Sequence, residues 1–115
     1  MKNILLAMIG LLAFLPPARG EDTARQSMNE GTRLYENKSY DQAAESFGRA
    51  AEAAPKEDLD AAIARYNEAN ARFKTGHFGE AATNYADALR SRDLALQGKA
   101  YYNRGNNRMY AYKGS

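Results

Sequence analysis

The chain has 115 residues, 26% of them charged and 10% aromatic, with three Pro and no Cys. That length suits one small domain, and the lack of Cys excludes disulfides and any metal–thiolate centre. Of the sixteen basic residues, Lys2 and Arg19 fall in the first twenty positions, which hold no acid; the rest has fourteen basic and fourteen acidic residues. A chain so balanced has no concentrated basic face to recommend a nucleic-acid partner.

Residues 1–20 read as an export leader. Lys2 gives a positive start, Ile4 to Leu15 is a short apolar run, Pro16-Pro17 breaks it, and Ala18-Arg19-Gly20 is a small-x-small cleavage pattern. A run of about 12 apolar residues is short for a bilayer span and normal for a signal sequence. No Cys stands at the cleavage site for lipid attachment. The chain is therefore expected to be exported, to the periplasm or another extracytoplasmic space. An uncleaved leader would serve as its only membrane anchor.

From Glu21 onward Ala is frequent, β-branched residues are scarce, and Pro55 is the only proline. Apolar residues recur at three- and four-residue intervals, which predicts amphipathic helices. They are expected at 23–37, 40–54, 57–75, 78–91 and 93–112. The breaks have chemical causes. Asn37-Lys38-Ser39 is a polar turn. Pro55 cannot extend the second helix, and Lys56-Glu57-Asp58 is expected to open the third. Gly76 stands just past the third helix, where positive φ is wanted. Asp93 is the expected N-cap of the fifth. Glu57, Asp58 and Asp60 gather where a helix N-terminus favours negative charge.

Two phrases are written twice. Tyr66-Asn67-Glu68-Ala69-Asn70 returns thirty-six residues later as Tyr102-Asn103-Arg104-Gly105-Asn106. Tyr40-x-x-Ala43-x-x-x-Phe47-x-x-Ala50 returns thirty-eight residues later as Phe78-x-x-Ala81-x-x-x-Tyr85-x-x-Ala88. Repeats at this period indicate stacked helical hairpins. Small residues facing large ones at helical spacing give ridge-into-groove packing. Gly31, Ala69 and Gly105, each mid-helix, are expected where a partner helix comes close.

These residues resemble the tetratricopeptide repeat. Gly31, Leu34, Tyr40, Ala43, Phe47, Ala50 and Pro55 carry the likeness in the first unit. Ala69, Gly76, Phe78, Ala81, Tyr85 and Ala88-Leu89 carry it in the second, and Tyr102-Asn103 with Gly105-Asn106 in the third. The resemblance implies an all-α domain over 21–115, a short right-handed solenoid of about 2.5 repeats, with units near 24–55, 62–92 and 98–115. The chain departs from the pattern at Glu30, Glu68 and Arg104, where Leu is usual, and at Arg72 and Arg108, where an apolar residue is usual. Looser or wetter packing is expected there. The stretch from Asp87 to Asn106 is also similar to exported repeat proteins of bacterial Bat (aerotolerance) operons. These accompany membrane proteins bearing von Willebrand factor A domains.

No catalytic constellation is visible. His77 is the only His and stands in a turn; Ser27, Ser39, Ser46 and Ser91 have no base placed to activate them. No cofactor or metal site is expected, since neither paired His nor clustered acids appear at ligand spacing. What remains is a binding surface. The resemblance implies a groove lined by Met28, Thr32 and Tyr35, then Tyr66, Asn70 and Phe73, then Tyr102, Asn106 and Met109. Asn offers a donor and an acceptor to a peptide amide, and Tyr gives contact area at low entropy cost. Asn67 and Asn103 are expected to tie helices together. Lys99 is the one basic residue expected at the groove edge. The expected function is a non-catalytic adaptor of the bacterial envelope with a protein partner. Two rivals stand beside it: an assembly or homo-oligomerisation module acting through the last helix, and a small-ligand-binding accessory. That last helix must hide Tyr101, Tyr102, Met109, Tyr110 and Tyr112, while Arg104, Asn107 and Arg108 are expected to form a polar outer face.

Overall fold

The computed structural model describes residues 23–114, and those residues form helices and turns without a strand. The expected leader, residues 1–20, lies outside the described residues. The helices are α1 (Ala24–Glu36), α2 (Tyr40–Ala53), α3 (Ala61–Lys74), α4 (Phe78–Ala88) and α5 (Leu94–Lys113), with a 3₁₀ turn at Ala54–Glu57. Each packs on its neighbours in the chain, and α5 also touches α3.

Local chemistry sets the ends. Thr23 closes a capping box on α1: its hydroxyl accepts from the Gln26 N–H at 3.1 Å, and the Gln26 side chain accepts from the Thr23 N–H at 2.9 Å. Gly76 takes φ +78° in the turn after α3, as the sequence leads one to expect. Lys38 takes φ 65° in the α1–α2 turn. Asp93 caps α5, accepting from the Ala95 N–H at 3.0 Å and the Leu96 N–H at 3.4 Å.

The third helix starts later than the sequence suggests, at Ala61 rather than residue 57. Pro55 fits the opening of a 3₁₀ turn, where its missing N–H is not needed. Asp58 then turns left-handed with φ 57°, which Asp tolerates better than most residues. Asp60 becomes the cap, accepting from the Ala62 N–H at 2.9 Å. Glu57 serves another helix: its carboxylate accepts from the Ala24 N–H at 2.6 Å, at the positive end of α1. The fourth helix ends at Ala88, short of residue 91. Ser91 is buried, with its hydroxyl 3.4 Å from the Asp60 carboxylate and 3.1 Å from the Asp93 N–H.

The core is built from alanines and a few rings. Ala43, Ala44, Phe47 and Ala71 form one cluster, with Met28, Leu34 and Tyr35 against it. Ala50, Ala51 and Ala64 form a second, and Ala69, Ala81 and Tyr85 a third, flanked by Tyr66 and Phe73. A Cβ placed on Gly31 would sit 2.6 Å from the Phe47 ring, so α1 and α2 meet there because the residue is glycine. Gly105 differs from expectation: among the described residues, nothing beyond its own helix comes within 4 Å of a Cβ placed on it. Asn107 also differs. It is buried rather than facing outward, and its amide donates to the Phe78 carbonyl at 2.9 Å.

Two of the departures from the repeat pattern, Glu68 and Arg72, are absorbed by pairing. Glu68 is buried against the notch of Gly48, and Arg65 holds its carboxylate at 2.8 Å. Arg72 reaches Glu80 at 3.3 Å. Both arrangements leave charge on the inter-helix faces, where a Leu-rich repeat would place carbon.

Candidate partner-binding trough

Two adjoining cavities of about 180 Å³ each run across α1, α3 and α5. Thr32, Tyr35, Glu36, Phe47, Asn67 and Asn70 line the first. Tyr35, Asn70, Phe73, Lys74, Asn103 and Asn106 line the second. Tyr35 and Asn70 belong to both, so the two form one trough.

The trough wall is fixed from behind. Tyr35 packs edge-on to Tyr40 with ring centres 5.0 Å apart. Phe73 packs edge-on to Phe78 and to Tyr110, at 5.9 and 5.2 Å. Lys74 places its ammonium 6.0 Å from the Tyr40 ring centre. Asn70 stands at a junction of three helices. Its side-chain oxygen accepts from the Tyr85 hydroxyl of α4 at 2.6 Å and from the Asn103 amide of α5 at 3.1 Å. The Asn103 amide also donates to the Tyr66 hydroxyl at 2.8 Å, joining the two copies of the repeated phrase. Burial, with smaller contributions from Tyr66 and Tyr35, pushes the Tyr85 phenol well above the usual tyrosine range. Burial also raises Tyr35, with Tyr40 and Tyr66 adding to it. Both phenols therefore remain neutral hydrogen-bond donors across physiological pH.

Of the nine residues singled out from the sequence, Thr32, Tyr35, Asn70, Phe73 and Asn106 come together in this trough. Tyr66 lies behind it, packed edge-on to Tyr85 at 6.1 Å. Met28 packs on two core clusters and lines a separate pocket. Tyr102 and Met109 are 72% and 51% exposed on α5 and line neither cavity. The basic residue at the trough is Lys74; Lys99 lines neither cavity. Glu36 and Lys74 escaped notice, although each stands one turn beyond a chosen residue, Thr32 and Asn70. Extending the i, i+4 rows would have found them. Asn103 ties helices as expected and also lines the trough.

The free valences matter. The Asn70 oxygen is used twice, but its amide hydrogens have no partner among the described residues. Asn106 lines the trough and makes no side-chain hydrogen bond among the described residues. A third pocket, about 300 Å³, lies at the other end between α1, α2 and α3, lined by Met28, Ala50, Ala64, Leu59 and Ile63 among others. Among the described residues, no three His, Asp or Glu side chains group as metal ligands, and no helix is long and apolar enough to cross a membrane. No protein-family profile, curated protein or solved structure matches this chain.

Proposed function

We propose that the chain is a tetratricopeptide-type adaptor that holds a segment of a partner protein in the trough between α1, α3 and α5. The observation that carries this reading is the trough itself, continuous across three helices and walled by Tyr35 and Phe73, with the amides of Asn70 and Asn106 free to bond. Such a site suits an extended backbone, whose alternating donors and acceptors match Asn side chains. The right-handed solenoid, the leader and the envelope location belong to the same reading and rest on the sequence. The Asp87–Asn106 likeness supports a membrane protein with a von Willebrand factor A domain as the partner.

The small-ligand reading keeps one observation in its favour, the apolar 300 Å³ pocket beside Leu59 and Ile63. Leu59 and Ile63 themselves stand at 43% and 46% exposure, so a ligand there would be incompletely enclosed on that side.

The test is photocrosslinking in cells of the source species. Benzoylphenylalanine at Thr32 and at Asn106 should capture the same protein, and the same residue at Leu59 should not. Asn106→Ala should weaken capture by Thr32-benzoylphenylalanine about tenfold, the loss of roughly 1.4 kcal/mol, without moving the melting temperature. Equal capture from all three positions, or none from Thr32 and Asn106, would overturn the trough as the site. The mature N-terminus of the protein recovered in the same experiment checks the leader: Glu21 is expected.

A further inference from the structure

Gly31, Ala69 and Gly105 hold the same place in three successive units, thirty-eight and thirty-six residues apart. In the first two, that small residue seats an aromatic ring from the following helix. Phe47 lies against Gly31, and Tyr85 clusters with Ala69. Each ring stands sixteen residues after its seat. Gly105 is the third seat, and among the described residues nothing fills it. Gly98, seven residues earlier and so two turns along the same face, is equally open. Around them Leu94, Tyr101, Tyr102 and Met109 are 79, 56, 72 and 51% exposed. This stripe runs opposite the face that buries Leu96, Ala100 and Asn107.

Charge says what kind of surface covers it. Helix α5 carries Lys99, Arg104, Arg108 and Lys113 and no acidic residue. None of the four is ion-paired among the described residues; Arg104 lies over the Tyr101 ring, 5.0 Å from its centre. The helices that bring rings to the two filled seats are both net acidic. Helix α2 has Asp41, Glu45 and Glu52 against Arg49, and α4 has Glu80 and Asp87 with no base.

We propose that this face of α5 docks an acidic amphipathic helix of a partner protein, which seats an aromatic ring on Gly105 and sets carboxylates against Arg104 and Arg108. The surface is distinct from the trough and stands whether or not the trough binds. A second copy of α5 would bring four more positive charges to a face that already has four, and like charges oppose that pairing. An anionic bilayer would satisfy the charge. It gains nothing from two glycine notches, whereas ridges of a facing helix fill such notches.

The probe is a fluorescent, helix-stabilised peptide of residues 39–54, which carries Phe47 and is net acidic. Anisotropy on the full chain should show saturable binding that salt weakens. Gly105→Leu, which fills the seat, should weaken it at least about tenfold, as should Phe47→Ala in the peptide. The pair Arg104→Glu, Arg108→Glu should do the same, and serves alone if Gly105→Leu fails to fold. Asn106→Ala, at the trough, should leave it unchanged. Absent binding, or binding that ignores these changes, overturns the proposal. So does a dimer of the free chain that excludes the peptide, which would make a second copy the occupant. Binding to phosphatidylglycerol vesicles that survives Gly105→Leu would make it a membrane surface and equally overturn it.

Discussion

A methyl group added at Gly31 and at Gly105 should act in opposite directions. At Gly31 the new Cβ would meet the Phe47 ring at 2.6 Å, and overpacking of this kind costs about 1–3 kcal/mol. At Gly105 the space is open, so Gly→Ala gives the ordinary helix gain of about 1 kcal/mol. Urea unfolding of the two variants beside the wild type checks both signs. Tyr85 offers a second residue-scale test. Its phenol is raised by burial, so above about pH 10 the unfolded chain loses that proton while the folded chain keeps it. The stabilisation from Tyr85 is therefore complete below that pH and is lost as pH climbs further. Tyr85→Phe, which also loses the hydrogen bond to Asn70, should cost about 1 kcal/mol at neutral pH. The gap to wild type should narrow at pH 11, and a gap that widens there would contradict it. These residues differ in how readily the sequence discloses them. Gly31 and Gly76 are legible because glycine is the residue best suited to a close helix contact or a positive φ. Asn107 is not: an Asn on a helix reads as solvated until a carbonyl, here that of Phe78, is seen to meet it.

At the scale of the helices, the ends are held by single side chains. Asp93→Ala removes a carboxylate that accepts from two N–H groups at the start of α5 and should cost about 1 kcal/mol. Because α5 has little else beside α4 to hold it, the loss should appear first as fraying of its opening turn in NMR hydrogen exchange. The five helices were readable from apolar spacing, and three of the four breaks between them from Gly and polar turns. The start of α3 was not. Three acids before an alanine run suggest a helix start at Glu57, but the chain divides them among separate tasks. Glu57 closes α1, Asp58 turns left-handed, and only Asp60 caps α3. Sequence reveals that negative charge is wanted in such a stretch; it does not reveal which helix wants it. The trough was half legible for a similar reason. The repeat resemblance implied Thr32, Tyr35, Asn70, Phe73 and Asn106, while the rotation of α5 about its axis, which decides among its other residues, had to be seen. That rotation turns Asn103 and Asn106 inward and leaves Tyr102 and Met109 outside.

Over the whole molecule, each helix rests chiefly on its sequence neighbours, so cooperativity passes along the line rather than through one centre. Helix α3, packed by α2, α4 and α5, should be the slowest to exchange its amides, with α1 and α5 opening ahead of it. Uniform protection across all five would contradict that gradient. Asn70 gives this loose order a further meaning. Its one side-chain oxygen receives α4 through Tyr85 and α5 through Asn103, and the same residue lines the trough. On the proposed reading, a guest bonded to that residue and to Asn106 would complete a grip that α5 alone only begins. Occupancy and the seating of α5 are then a single linked equilibrium. Whatever loosens the last helix must weaken the guest by the factor with which the guest tightens the helix.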